Sequence, residues 1–321
     1  MVYRVNRDPI IDGDRVLRVD RMRVGSFSET YKFQGSTSGY TSGGFAPPYT
    51  NVIDKFPFSS DANATDVGDL TSVRAGPAGQ SSDASGYSSG GKTSSYLNII
   101  DKFPFSADTN ATDVGDLTQA RWIPAGQSSS ENGYTSGGDV PPETNIIDKF
   151  SFSSDGNATD VGDLSQTRGR LAGQSSSSNG YSSGGHSAFP TTTNVIDKFP
   201  FAADANATDV GDLTQARGYP GGQSSSENGY SSAGYAGDAS GLNTIDKFPF
   251  AADANATDVG DVTQGRYPVA GQSSTSNGYS SGGYSSGGTN IIDKFPFATD
   301  ANATDVGDLT QTRWETTGQQ V

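Results

Sequence analysis

The chain has 321 residues, of which only 32% are apolar and 42 are glycine; it carries a net charge of −15 and no cysteine. The missing cysteines exclude a disulfide framework and thiolate metal centres, and no run approaches the roughly 20 apolar residues of a membrane span. So lean a composition reads as low complexity unless its apolar residues recur in register, and here they do.

Residues 1–35 have no copy elsewhere in the chain. Met1-Val2-Tyr3-Arg4-Val5-Asn6-Arg7-Asp8 lacks an apolar h-region, so no secretory signal is expected. Pro9-Ile10-Ile11-Asp12-Gly13-Asp14-Arg15-Val16 offers an Asp-Gly turn, followed by strand-like residues from Leu17 to Val24. Residues 1–34 hold 7 basic and 5 acidic side chains, which leaves the remainder at −17. That field repels phosphate backbones and argues against nucleic-acid binding.

From Gly39 onward nearly the same sentence is written six times. Its constant half reads N-x-I-D-K-F-P-F-x-x-D-x-N-A-T-D-V-G-D-L-x-x-x-R, with isoleucines at Ile53, Ile100, Ile147, Ile196, Ile245 and Ile292, a period of 47 to 49 residues. The other half reads A-G-Q-S-S-x-x-x-G-Y-[ST]-S-G-G, with tyrosines at Tyr87, Tyr134, Tyr181, Tyr230 and Tyr279. A sixth tyrosine half, Gly39-Tyr40-Thr41-Ser42-Gly43-Gly44, stands alone, and its missing start, Thr317-Gly318-Gln319-Gln320-Val321, ends the chain. Periods of this length belong to solenoids or propellers. A solenoid needs distinct capping repeats, whereas a ring closed by the last strand leaves no sheet edge open. The permuted ends predict a ring.

Each unit reads as four strands, exemplified by residues 78–82, 86–89, 98–103 and 111–117. Ile100 and Phe103 lie on opposite parities, so the third strand needs a bulge or twist, or both its faces are buried. Pro104 ends it. Asn-Gly pairs such as Asn132-Gly133 predict a tight hairpin between the first and second strands. The expected architecture is all-β: a six-bladed propeller over 36–321, closed by the C-terminal strand, with a strand or hairpin arm over 1–35. Blade one takes its innermost strand from residues 317–321 and the other three from 36–73.

At these residues the chain resembles the kelch family. Gly90-Gly91 closing the second strand, Phe103 in the third, Leu117 in the fourth and Arg121 before the next unit occupy the offsets of its motif. The tryptophan usual in the family's fourth strand is replaced by Val114-Gly115-Asp116-Leu117. The phrase IDKFPF…NATDVGDL also resembles kelch-like repeats of bacteriophage virion appendage proteins. That resemblance implies a virion location after assembly in the host cytoplasm, with residues 1–35 attaching the ring to other virion proteins. A homo-oligomer is compatible with such a setting.

Alternating strands send the second-to-third and fourth-to-first loops to one face, and the remaining loops to the other. The second face is almost invariant between copies. The first varies strongly and carries both tryptophans and the only histidine. Aromatics on variable loops of a rigid scaffold are the usual layout of a recognition surface. The candidate binding residues are Phe45, Tyr49, Tyr96, Trp122, His186, Phe189, Tyr219, Tyr235, Tyr267, Tyr284 and Trp314, with a host-surface glycan as the expected ligand. Drift in unconstrained loops is the bland alternative.

Asp61-x-Asn63-x-x-Asp66-x-x-Asp69 has oxygen ligands at short spacing, as a Ca²⁺ site does, but lacks the EF-hand register and terminal glutamate. Asp61, Asn63, Asp66 and Asp69 are therefore weak metal candidates, and turn capping with pairing to Lys55 and Arg74 of the same or a neighbouring unit is the better expectation. Asn63-Ala64-Thr65 is a glycosylation sequon read in the same way, as turn chemistry. No cofactor is expected. One histidine and no cysteine exclude a catalytic triad in every blade, and kelch-fold copper-oxidase and sialidase signatures are absent. The chain reads as a non-enzyme: a virion appendage that binds host glycan, an architectural capsid, neck or tail decoration, or an exported bacterial adhesin.

Overall fold

The computed structural model describes residues 11–12, 15–16, 33–237 and 241–321. The chain divides into two units between Thr30 and Tyr31. In the first, Ile11–Asp12 pairs antiparallel with Arg15–Val16, and Gly13 of the expected Asp-Gly turn lies outside the described residues. The remainder of the expected arm, Leu17 to Val24 included, lies outside the described residues.

The second unit is a six-bladed β-propeller. Each blade is a four-stranded antiparallel sheet in sequential order, as in Ala78–Ser81, Ser85–Ser89, Ile99–Pro104 and Thr112–Asp116. Blade one is the exception in connectivity: Thr317–Gln320 pairs with Ser38–Ser42, which continues to Val52–Pro57 and Thr65–Asp69. The chain's last strand thus completes the sheet that its first repeat residues begin, as the permuted repeat predicts. Phe33 and Gly35 belong to this unit as well. Gln320 Nε2 donates to the Phe33 carbonyl at 3.1 Å, and Gly35 N donates to the Ser273 carbonyl at 2.9 Å.

The hydrophobic core lies between blades. Tyr40, Ile53 and Leu70 of blade one pack on Phe103 and Ala111 of blade two. The same set recurs at each junction and closes where Tyr279, Ile292 and Leu309 meet Phe56 and Ala64. Ile100 faces blade three while Phe103 faces blade one, so both faces of the third strand are buried. A register shift against the fourth strand also falls between Ile100 and Asp101. Both of the expected answers to the parity conflict are therefore present. Each large apolar side chain so buried stabilises by about 1.5–3 kcal/mol, which is how a lean sequence supports a ring.

Two sets of ion pairs bridge the same junctions. Arg74 Nη2 meets Asp101 Oδ2 at 2.5 Å with both side chains fully buried, and Asp101 also accepts from Thr71 N at 2.9 Å and Thr71 Oγ1 at 2.7 Å. The closing copy is Arg313 with Asp54 at 2.9 Å. At the periphery Lys55 meets Asp108 at 3.0 Å, and Lys294 of blade six pairs with Asp61 of blade one. The partner of the repeat arginine is thus the aspartate of I-D-K-F, not the Asp61–Asp69 cluster. Only that buried carboxylate can match a guanidinium that has lost all contact with water.

Glycine explains two local features. The expected tight hairpin between the first and second strands is present, but Asn-Gly is not its turn: Asn132 and Gly133 already lie in the second strand, and the turn is held by Ser129, whose Oγ accepts from Asn132 N at 2.9 Å. Gly133 is required instead by its cross-strand neighbour, since a Cβ there would stand 2.4 Å from Phe150 Cζ. At the axis, a Cβ on Gly126 would stand 2.2 Å from the Gly79 carbonyl oxygen, and the pattern passes around the ring to Gly79 against Gly318. The innermost strands can approach this closely only because they carry glycine there.

Candidate functional site

Three of the side chains proposed as weak metal ligands, those of Asp61, Asn63 and Asp66, are engaged in blade building, as is the backbone of the fourth, Asp69. Asp61 pairs with Lys294, and Asn63 Oδ1 accepts from Asp308 N at 3.1 Å. Asp66 Oδ1 accepts from Gly68 N at 3.2 Å, and Asp69 N donates to Asn110 Oδ1 of the next blade at 3.0 Å. Asn63 of the sequon is therefore part of the inter-blade contact.

The variable face is organised as concentric rings of equivalent positions. The residue after each Gly-Gly (Ala-Gly in blade five) is Phe45, Lys92, Asp139, His186, Tyr235 or Tyr284. Each pairs through its backbone with the residue after a repeat arginine: Trp314, Ala75, Trp122, Gly169, Gly218 or Tyr267. Lys92 N, for example, donates to the Ala75 carbonyl at 2.8 Å, and Ala75 N returns the bond at 3.0 Å. The next positions inward are Gly76, Ile123, Arg170, Tyr219, Pro268 and Glu315. Five of them hold φ between 47° and 62°. Their amides run around the axis: Tyr219 N to Arg170 O, Arg170 N to Ile123 O, Ile123 N to Gly76 O and Gly76 N to Glu315 O, at 2.7–2.9 Å. Pro268 has no N–H to offer and interrupts the belt.

A left-handed φ costs a non-glycine residue about 1–2 kcal/mol, and a β-branched one such as Ile123 is a genuine outlier. Gly76 shows that glycine suffices for the backbone. What the other copies gain from a side chain must therefore lie beyond the belt, and strain of this kind clusters at ligand sites.

The side chains divide the face into two sectors. One is purely aromatic: Tyr49, Phe45, Trp314 and Tyr284 touch in sequence with ring centroids 5.0–5.1 Å apart. Tyr267 lies 4.8 Å from Tyr235 and 5.9 Å from Tyr219. The other sector, from blades two to four, mixes charge with aromatics. Lys92 Nζ stands 4.7 Å from the Trp122 ring and 5.5 Å from Tyr96. The Arg170 guanidinium lies 4.7 Å from Phe189, 5.4 Å from Tyr219 and 5.6 Å from Trp122. Its Nη2 meets Asp139 Oδ2 at 2.5 Å, and its Nη1 stands 3.8 Å from Glu143 Oε1.

All eleven sequence candidates come to this face, but not on equal terms. Phe189 is 59% exposed and Tyr284 36%, whereas His186 is fully buried beneath Phe189, Tyr219 and Tyr235 and offers no surface to a ligand. Burial and the Arg170 charge hold the His186 imidazole down at about 4, so it is neutral in ordinary buffers. Burial pushes the Asp139 carboxyl up to about 6, against the pull of Arg170. It likewise pushes Glu315 up to about 7, against Trp122, Lys92 and Arg170. Sequence reasoning missed Lys92, Asp139, Glu143, Arg170 and Glu315, although each departs from the repeat as visibly as the aromatics do.

A cavity of about 350 Å³ opens in the charged sector, lined by Tyr96, Pro142, Phe189 and the Asp139–Arg170–Glu143 group. A second of about 80 Å³ lies on the propeller axis, with Ile123, Leu171, Tyr219 and Glu315 among its lining residues. The chain matches no protein-family model, and no curated protein is similar to it. The kelch and phage-appendage likenesses therefore rest on the repeat residues alone.

Proposed function

We propose that this protein is a binding module in which a rigid propeller presents its variable loop face to a host-surface glycan. The resemblance of its repeats to phage appendage proteins suggests the setting, a bacteriophage virion to which residues 1–35 attach the ring. The observation that carries the binding role is the asymmetry between faces. One repeats the same lysine–aspartate contacts six times, while the other gathers nearly all of the variation, the strained belt and the exposed aromatics. This reading assigns the protein no catalysis.

A second reading is architectural, a decoration that contacts other virion proteins. The six-fold repetition of the invariant face favours it, because such a surface suits a partner of matching symmetry. Electron microscopy of purified particles, labelled with antibody against the ring, separates the two. A label with the Trp122 and Phe189 loops free supports display for adhesion. Loops buried against other virion proteins would leave only the architectural role, and particles without label would remove the virion setting.

A further inference from the structure

The geometry points to the cavity between the loops of blades two, three and four as a subsite for one neutral pyranose. This deepens the glycan-binding reading and rests on it. About 350 Å³ is at the small end of ligand pockets, which run from about 300 to 1,000 Å³, and has room for a single sugar ring. Tyr96 and Phe189 supply aromatic walls suited to the C–H face of a pyranose. Phe189 stands 59% exposed at the rim, so its ring is accessible to a ligand entering the cavity.

The polar floor chooses among sugars. The Arg170 guanidinium is flanked by the Trp122, Phe189 and Tyr219 rings, which leaves its edge for polar contacts. On that edge Nη2 is taken by Asp139, while Nη1 has no hydrogen-bond partner and stands 3.8 Å from Glu143 Oε1. Oε1 accepts one bond, from Phe189 N at 3.2 Å, and keeps a second lone pair. The gap between Nη1 and Oε1 is too long for a direct bond and suits a bridging group that accepts from the first and donates to the second. A sugar hydroxyl does both. A carboxylate cannot donate to Glu143 and an ammonium cannot accept from Arg170, so an acidic or amino sugar must turn one of its hydroxyls, and not its charged group, to this floor.

The test is saturation-transfer NMR and calorimetric titration of the full chain with methyl glucoside, galactoside and mannoside, against glucuronate, N-acetylneuraminate and glucosamine. At least one neutral glycoside is expected to bind more tightly than its acidic or amino counterparts. Phe189→Ala should weaken it about tenfold or more, corresponding to about 1.4 kcal/mol. Glu143→Gln provides an amide donor and should narrow the neutral-over-acidic preference about tenfold, a change that a merely structural role would not produce. Lys102→Ala, on the ring's periphery away from this face, should bind as the parent does. A parent that prefers glucuronate or glucosamine overturns the proposal. So does retention of binding in Phe189→Ala with loss in Tyr284→Ala, although that result leaves the glycan-binding face intact. If the parent engages no saccharide, the subsite and the broader reading fall together.

Discussion

Gly173→Ala tests whether the ring is closed as tightly at its axis as the structure shows. In an ordinary strand, replacing glycine by alanine stabilises by about 0.5–1 kcal/mol, because less chain entropy is lost on folding. Gly173 has no left-handed φ, so alanine meets no backbone penalty there. Its Cβ would, however, stand 2.1 Å from the Gly126 carbonyl oxygen and 2.9 Å from the carbonyl carbon. The strand Ala172–Ser175 cannot back away, because a Cβ on Gly222 would already lie 2.2 Å from the Gly173 oxygen on its other side. The contact has to open by roughly 1 Å in a close-packed ring without slack, and overpacking of this kind costs about 3 kcal/mol at the upper end of its usual range. At about 2 °C per kcal/mol for a domain of this size, the melting temperature should fall by about 6 °C. Gly156→Ala is the control. It has nothing within 4 Å of its Cβ, and four of the other copies carry alanine there, so it should gain about 0.5 kcal/mol. Calorimetric melting of the three full-length proteins decides the matter. A Gly173→Ala variant that melts at or above the parent would refute the close approach of the inner strands.

The ion pairs should separate by burial. Arg121→Met strands the buried Asp148 carboxylate and should cost about 3–5 kcal/mol in urea unfolding, with part of the loss recovered when Asp148→Leu is added. Lys102→Ala, whose partner Asp155 is largely exposed, should stay within about 1 kcal/mol of the parent in the same assay. Glu315 is an acid held above its ordinary value of 4.5, at about 7, so the folded state holds its proton longer than the unfolded chain does. Its contribution to stability is therefore present below about pH 4.5 and is lost as pH rises toward 7. Glu315→Gln should match the parent at pH 4.5 and exceed it by up to about 3 kcal/mol at pH 8; equal stabilities at pH 8 would show the carboxyl to be solvated.

The ring and its closure can be read from the chain because each blade writes its strand residues at the same offsets, and a half-repeat at each end has only one way to pair. Gly133 was harder. Asn-Gly is a strong local hairpin signal, and its true reason, the Phe150 ring lying across the strand, belongs to a pair seventeen residues apart in sequence. The arginine's partner was obscured in the same way, since Asp101 lies 27 residues beyond Arg74 and one blade on. At the site, Trp122, Tyr219 and Phe189 announce themselves as aromatics in loops. Arg170 and Asp139 do not, because charged loop residues ordinarily face water. They are buried here only because rings from three successive blades close over them, and no single repeat contains that information.

A ring of six identical blades can hold a shape but cannot single out one place on it. The contacts that stabilise this ring, from the Tyr40–Phe103 junction to the Arg74–Asp101 pair, use positions that hardly vary. The loops on the variable face are tied down by backbone bonds such as Lys92 to Ala75, which accept almost any side chain. Side chains at those positions are thereby released from building the fold. In blades two to four they have become Lys92, Asp139 and Arg170 over a neutral, buried His186, a partly desolvated group not repeated in the other blades among the described residues. Repetition thus accounts for the platform, and the departure from repetition marks where on it a ligand would be recognised.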